Sequence, residues 1–175
     1  PMTLVQRKGL RQTGNEPTIL TGYGGYGIST VPAYQLRRRA WLDQGGRVVI
    51  ANLRGGGEFG DRWHRDGNLT RKQSVFDDFI ACAEFLIRSN YTSSAKLAIE
   101  GGSNGGLLMG AALTQRPELF RAVVAHVGLY DMLRVERDPN GEFNTTEFGS
   151  VKSSEQFSAL FAYSPYHAVR DRVAY

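Results

Sequence analysis

One serine stands at the centre of Gly101-Gly102-Ser103-Asn104-Gly105, five residues that fit the spacing G-x-S-x-G. That spacing suits a sharp strand-to-helix turn, which lifts a serine hydroxyl clear of its neighbours so that it can act as a nucleophile. The glycines follow from the geometry. So tight a turn brings backbone against adjacent strands and strains one dihedral, and Cβ atoms would collide there. The flanks agree with it: Leu97-Ala98-Ile99-Glu100 reads as a short apolar strand and Gly106-Leu107-Leu108-Met109-Gly110 as an apolar helix.

A nucleophilic serine needs an oxyanion hole, a base and an acid. The first oxyanion donor is expected to be the backbone N–H of Asn104, directly after the serine. The second is expected from the loop after an earlier strand, where Gly22-Tyr23-Gly24-Gly25-Tyr26-Gly27 falls. Tyr23 offers a phenolic O–H there, and Gly24 and Gly25 offer backbone N–H groups. The base is harder to place among three histidines. In this arrangement the chain order is serine, then Asp or Glu, then His. His64 precedes the serine, and His126 ends a strand, where a hydrogen-bonded structural imidazole is the usual role. Asp131 followed by His167 is the one internal triad on offer. A serine hydroxyl without its base is a weak nucleophile.

Two other loops compete for attention. Gly22 to Gly27 and Gly55-Gly56-Gly57-Glu58-Phe59-Gly60 both match G-x-G-x-x-G. A dinucleotide site needs a helix opening within the glycines and an acidic residue ending the next strand. Ile28-Ser29-Thr30-Val31-Pro32 delays the first helix, the next strand ends at Asn52, and Asp61 to Gly67 makes a poor helix start after the second loop. The context rejects a dinucleotide, and without GK[ST] neither loop is a P-loop.

The elements that must position Ser103 alternate along the chain. Met2 to Lys8 reads as an edge strand, Thr18 to Thr21 as a short strand, and Ala33 to Gln44 as a helix carrying Leu36, Ala40 and Leu42 and ended by Gly45-Gly46. Arg47 to Asn52 is nearly continuous apolar strand, as in a sheet covered on both faces. Lys72 to Asn90 is the longest predicted helix, with Val75, Phe79, Cys82, Ala83, Leu86 and Ile87 on one face. After the helix that follows Ser103, Ala122 to Val127 reads as another buried strand. The chain then turns irregular from Asp131 until a short helix over Ser154 to Tyr163. Alternating strands and helices predict an α/β unit, a mostly parallel sheet with helices on both faces, without repeat or linker.

Composition narrows the partners. The 175 residues carry a formal net charge of +4, and the densest basic run, Arg37-Arg38-Arg39, lies inside a predicted helix. A solvated helix face explains it better than a nucleic-acid surface. One cysteine, Cys82, excludes an internal disulfide and a cysteine-based zinc site; it points to a cytoplasmic setting and is compatible with a periplasmic one. No run approaches the length of a membrane span.

Gly22-Tyr23-Gly24-Gly25-Tyr26, Asn52 to Gly60 and Gly101 to Leu108 together resemble the prolyl oligopeptidase (prolyl endopeptidase) family. Gln115-Arg116-Pro117-Glu118-Leu119-Phe120 and Ala162-Tyr163-Ser164-Pro165-Tyr166-His167 extend the resemblance over nearly the whole chain. It implies a partial α/β-hydrolase fold, with residues 1–175 as the N-terminal part of a peptidase domain, and short peptides cleaved after proline without a cofactor. It further implies Ser103 as nucleophile, Asn104 as backbone oxyanion donor and Tyr23 as the hydroxyl that completes the hole. Tyr26, Leu129 and Phe148 would form the wall of the proline pocket. The family's stacking tryptophan is replaced by Asn144, beside Phe143, which predicts a broader preference at P1. The triad Asp and His are expected beyond Tyr175, and the remainder of the catalytic domain and a capping β-propeller are expected in the intact protein. Two other readings are a non-catalytic binding or dimerisation module and a general esterase. The pocket aromatics weigh against the esterase.

Overall fold

Arg47-Val48-Val49-Ile50-Ala51 is buried along its whole length and lies one strand in from the edge of a five-stranded sheet, paired on both sides. The computed structural model describes residues 1–175. Its strands are β1 (Met2–Val5), β2 (Thr18–Thr21), β3 (Arg47–Ala51), β4 (Leu97–Gly102) and β5 (Ala122–His126), in the spatial order β1-β3-β2-β4-β5. β2 to β5 run parallel, and β1 lies antiparallel on β3. The register places Leu4, Val49, Leu20, Ile99 and Val123 opposite one another across all five strands. Side chains alternate along a strand, so this row lies on one face. Leu20, Val49 and Ile99 are fully buried there, and Leu4 and Val123 pack against the same core.

Seven helices connect and cover the strands: α1 (Leu36–Asp43), α2 (Asp61–Arg65), α3 (Gln73–Arg88), α4 (Asn104–Gln115), α5 (Gly141–Phe148), α6 (Ser154–Tyr163) and α7 (Pro165–Ala168). α3 carries an apolar stripe at helical spacing and buries Val75, Phe76, Phe79, Ala83 and Leu86. α4 is apolar all round and buries every residue from Asn104 to Ala112. Together they cover the Leu20 face. α1 crosses the opposite face, where its side chains share grooves with Ile19, Val48, Ile50, Ala98 and Val124.

Four expectations need correction. The strand at Ala122 to His126 is largely exposed, with Val124 at 46%, because it closes one end of the sheet order. The first helix opens at Leu36, which is exposed; Gln35 before it is extended. Glu58 accepts from the Thr30 N–H at 2.7 Å and Asn52 donates to the Thr30 carbonyl at 2.8 Å, which holds the approach to the helix away from helical geometry. Asp61 to Arg65, a poor helix start by composition, is helical, supported by Asp61–Arg65 and Arg62–Asp66 pairs one turn apart. Gly141 to Phe148 is helical where irregular chain was expected. Its Asn and two Thr are weak helix formers, and burial of Asn144, Glu147 and Phe148 overrides them.

Phe79 is fully buried at the heart of α3's apolar face. Phe79→Ala should lower stability by about 3–5 kcal/mol, read as a shift of the urea midpoint. A loss below about 1 kcal/mol would show that this face is not the core.

Candidate active site

The strand order places β2 between β3 and β4, so the chain leaves β2 toward α1 on one face and leaves β4 toward α4 on the other. In parallel sheets the crevice beyond the strands' carboxyl ends, at such a reversal, is where ligands bind. The two loops that open there are Gly22 to Gly27, after β2, and the turn at Ser103, after β4.

Ser103 has φ 57° and ψ −120°, a left-handed backbone that a non-glycine residue adopts only when its surroundings enforce it. The enforcement is visible. The Ser103 N–H donates to the His126 carbonyl at 2.9 Å, and the Ser103 carbonyl accepts from Gly106 and Leu107 at 2.8 and 3.0 Å. The side chain is left exposed at the apex. A Cβ on Gly101 would stand 2.4 Å from the Gly105 carbonyl oxygen, so only glycine fits under the turn. Asn104 begins α4, and the N–H groups of a helix's first turn have no partner within the helix. A developing negative charge beside Ser103 would meet such a donor, with the positive end of the helix dipole behind it.

Tyr23 belongs to a loop tied directly to this turn. Asn104 Nδ2 donates to the Tyr23 carbonyl at 2.5 Å, and Gly25 approaches so closely that a Cβ would lie 2.6 Å from Asn104 Nδ2. A cavity of about 460 Å³ opens beside them, with Tyr23, Gly101, Gly102, Arg37, Glu100 and His126 in its wall.

On the far side of the loop, the half-buried Tyr26 stacks parallel to Phe143 (centroids 5.5 Å, 2°) and edge-on to Phe148 (5.8 Å, 81°). Its hydroxyl donates to Asn144 Oδ1 at 2.8 Å. Burial, and then the nearby Glu147 carboxylate, push the phenol well above its ordinary pKa, so it stays a donor. Phe148 is fully buried and supports Tyr26 from behind, while the exposed ring beside Tyr26 is Phe143. Leu129, beyond β5, packs partly buried against the core.

The histidines are brought to three separate places. His64 Nε2 lies 2.8 Å from Glu147 Oε2. His126 Nε2 lies 3.6 Å from Glu100 Oε1, which is also paired with Arg37. His167 Nδ1 lies 2.8 Å from the Ser164 hydroxyl, whereas Asp131 is paired with Arg134 at 2.6 Å. Asp131 and His167 thus bind other partners. No three His, Cys, Asp or Glu side chains gather as a metal site.

Residues 32–175 match the family model described as the prolyl oligopeptidase family. The chain belongs to that family. A prolyl endopeptidase of Dictyostelium discoideum is 47% identical over 171 residues, which cover 97% of this chain and 22% of the relative. One of Elizabethkingia meningoseptica is 42% identical over 176 residues, covering 100% and 25%. A solved structure from a study of two prolyl endopeptidases superposes with a TM-score of 0.98 at 51% identity, covering all of this chain and 26% of its own. The post-proline cleaving enzyme of Rickettsia typhi gives 0.94 at 40% identity, covering 97% and 25%. The chain therefore spans about a quarter of the length of the relatives it matches. The family is a peptidase family, and the fold is the α/β-hydrolase fold.

Sequence reasoning missed Phe143, Lys72 and Glu147. Phe143 adjoins the unexpected Asn144, a signal that was available. Lys72 and Glu147 are 75 residues apart and fully or almost fully buried against each other; nothing local in the sequence marks such a pair.

Gly101→Ala should prop the turn open and slow modification of Ser103 by a fluorophosphonate probe about 10²-fold in the intact protein. Unchanged labelling would show that the turn does not depend on this approach.

Proposed function

We propose that this chain supplies the nucleophile and oxyanion hole of a serine peptidase that hydrolyses short peptides, after proline or small residues, through an acyl-enzyme on Ser103. The observation that carries the reading is the strained, exposed serine at the sheet's reversal point, with the Tyr23 loop bonded to Asn104. In this reading Ser103 Oγ attacks the scissile carbonyl carbon while a base takes its proton. The carbonyl oxygen becomes an oxyanion and accepts from the Asn104 N–H and the Tyr23 hydroxyl. Collapse expels the amine, which receives the proton, and water then releases the acyl group by the same route. In this reading the base and acid are a histidine and an aspartate outside these residues: His64 and His167 are bonded to Glu147 and Ser164, and His126 lies against Glu100, which precedes the serine in the chain. Residues 1–175 are then the N-terminal part of the catalytic domain, completed by further strands and capped by a β-propeller.

Without its base, residual catalysis comes from the oxyanion hole and binding alone. Residues 1–175 by themselves should therefore label with fluorophosphonate far more slowly than the intact enzyme. Rapid stoichiometric labelling of Ser103 would point to an internal base. In the intact enzyme Tyr23→Phe should lower kcat about 10²–10³-fold, the weight of one oxyanion donor; an unchanged kcat would remove Tyr23 from the hole.

Selectivity rests on Tyr26, Phe143 and Asn144. Asn144 supplies an amide where a large flat ring would favour proline, so alanine at P1 should also be accepted. Phe143 retains part of that surface. Phe143→Ala should lower kcat/KM on proline substrates about 2- to 12-fold, matching the 0.5–1.5 kcal/mol of an aromatic contact, and leave alanine substrates unchanged. Equal losses on both would show that the ring serves no proline-specific contact.

A further inference from the structure

Lys72 is fully buried at the entry to α3, and the chemistry above gives it no task. Its ammonium donates to the Gly24 carbonyl at 3.0 Å and to Glu147 Oε1 at 2.7 Å, and lies 5.2 Å from the Phe148 ring centroid. The other Glu147 oxygen is 2.8 Å from His64 Nε2, so both carboxylate oxygens are engaged. Burial pulls the Lys72 ammonium below its ordinary pKa, and the charge and hydrogen bond of Glu147 oppose that shift. A buried ion pair is a poor way to gain stability, because well-packed apolar residues of similar volume serve as well or better. An apolar pair cannot, however, hold a carbonyl.

That difference points to the loop. Two successive carbonyls of the Gly22 to Gly27 segment are held by different side chains. Tyr23 O accepts from Asn104 beside the nucleophile, and Gly24 O accepts from Lys72. Glu147 then passes the constraint to α5, between Asn144, which holds the Tyr26 hydroxyl, and Phe148, which backs the Tyr26 ring. We propose that Lys72 and Glu147 are positioning residues that lock the Tyr23–Tyr26 loop to α5, giving the oxyanion hydroxyl and the pocket wall one fixed relation. The catalytic part of this inference rests on Tyr23 as an oxyanion donor.

The test uses the intact enzyme with the double substitution Lys72→Met/Glu147→Leu, which removes both charges and keeps the site filled. The thermal midpoint should stay near wild type while kcat falls about 10²-fold, as expected when a reacting geometry is displaced by about 1 Å. In a Tyr23→Phe background the same pair should cost little further, because it acts through that hydroxyl. Amides of residues 22–27 should exchange with deuterium faster. Restoration of kcat to within about twofold of wild type, or losses that multiply in full with Tyr23→Phe, would overturn the proposal. Should the double variant not fold, Glu147→Gln keeps the side chain's shape and should show about tenfold loss of kcat with the same dependence on Tyr23. If Tyr23→Phe alone leaves kcat unchanged, the oxyanion reading falls, and loop exchange decides the positioning role. Unchanged exchange at residues 22–27 overturns it.

Discussion

The backbone of Ser103 stands in a region that costs a non-glycine residue about 1–3 kcal/mol, and the rest of the site depends on that strain being held. β4 delivers the chain from a strand buried at alternate positions, α4 takes it into a buried helix, and the His126 carbonyl at the end of β5 fixes the amide between them. The strand and the helix are both anchored in one apolar core, so the turn has no slack with which to relax. The result is a hydroxyl exposed at an apex and a free helix N-terminus directly behind it.

Such a turn is useful only if a second loop meets it, and the sheet order provides that. β2 sits beside β4, and its following loop emerges at the same end because the strands are parallel. In an antiparallel pairing the two loops would open at opposite ends. The apolar row through Leu20 and Ile99 pins the register, and a slip of one residue would turn every side chain to the other face. Core packing thereby decides where Tyr23 stands relative to Ser103, although neither residue belongs to the core.

What could be read from the sequence follows the range of the forces involved. The turn at Ser103, the strands at Thr18 and Arg47 and the long helix from Gln73 are specified by close neighbours: glycine spacing, apolar runs, helical period. α5 was illegible because Asn144, Thr145 and Thr146 argue locally against a helix, and burial of Glu147 and Phe148 decides the matter from a distance. The exposure of β5 was illegible for a related reason. An apolar run shows that a strand is apolar, not where it stands in the sheet order. The partners of the histidines lie three to 83 residues away, and the choice of His64 for Glu147 and His167 for Ser164 is made only after folding.

These ranges divide the site into two halves of different character. The nucleophile and its backbone donor rest on β4, buried at alternate positions, and on α4, buried from Asn104 to Ala112, where a single Cβ under the turn is too much. The pocket side rests on α5, a helix of weak intrinsic preference with Phe143 exposed and its geometry supplied by contacts from elsewhere in the chain. Changes of side chain are easier to absorb there: Asn144 answers the Tyr26 hydroxyl with an amide oxygen and leaves no buried polar atom unpaired between the two. In the proposed peptidase, rate is accordingly tied to the rigid half and selectivity to the adaptable one. The short loop from Gly22 to Gly27 must satisfy both, and its consecutive carbonyls are held from both.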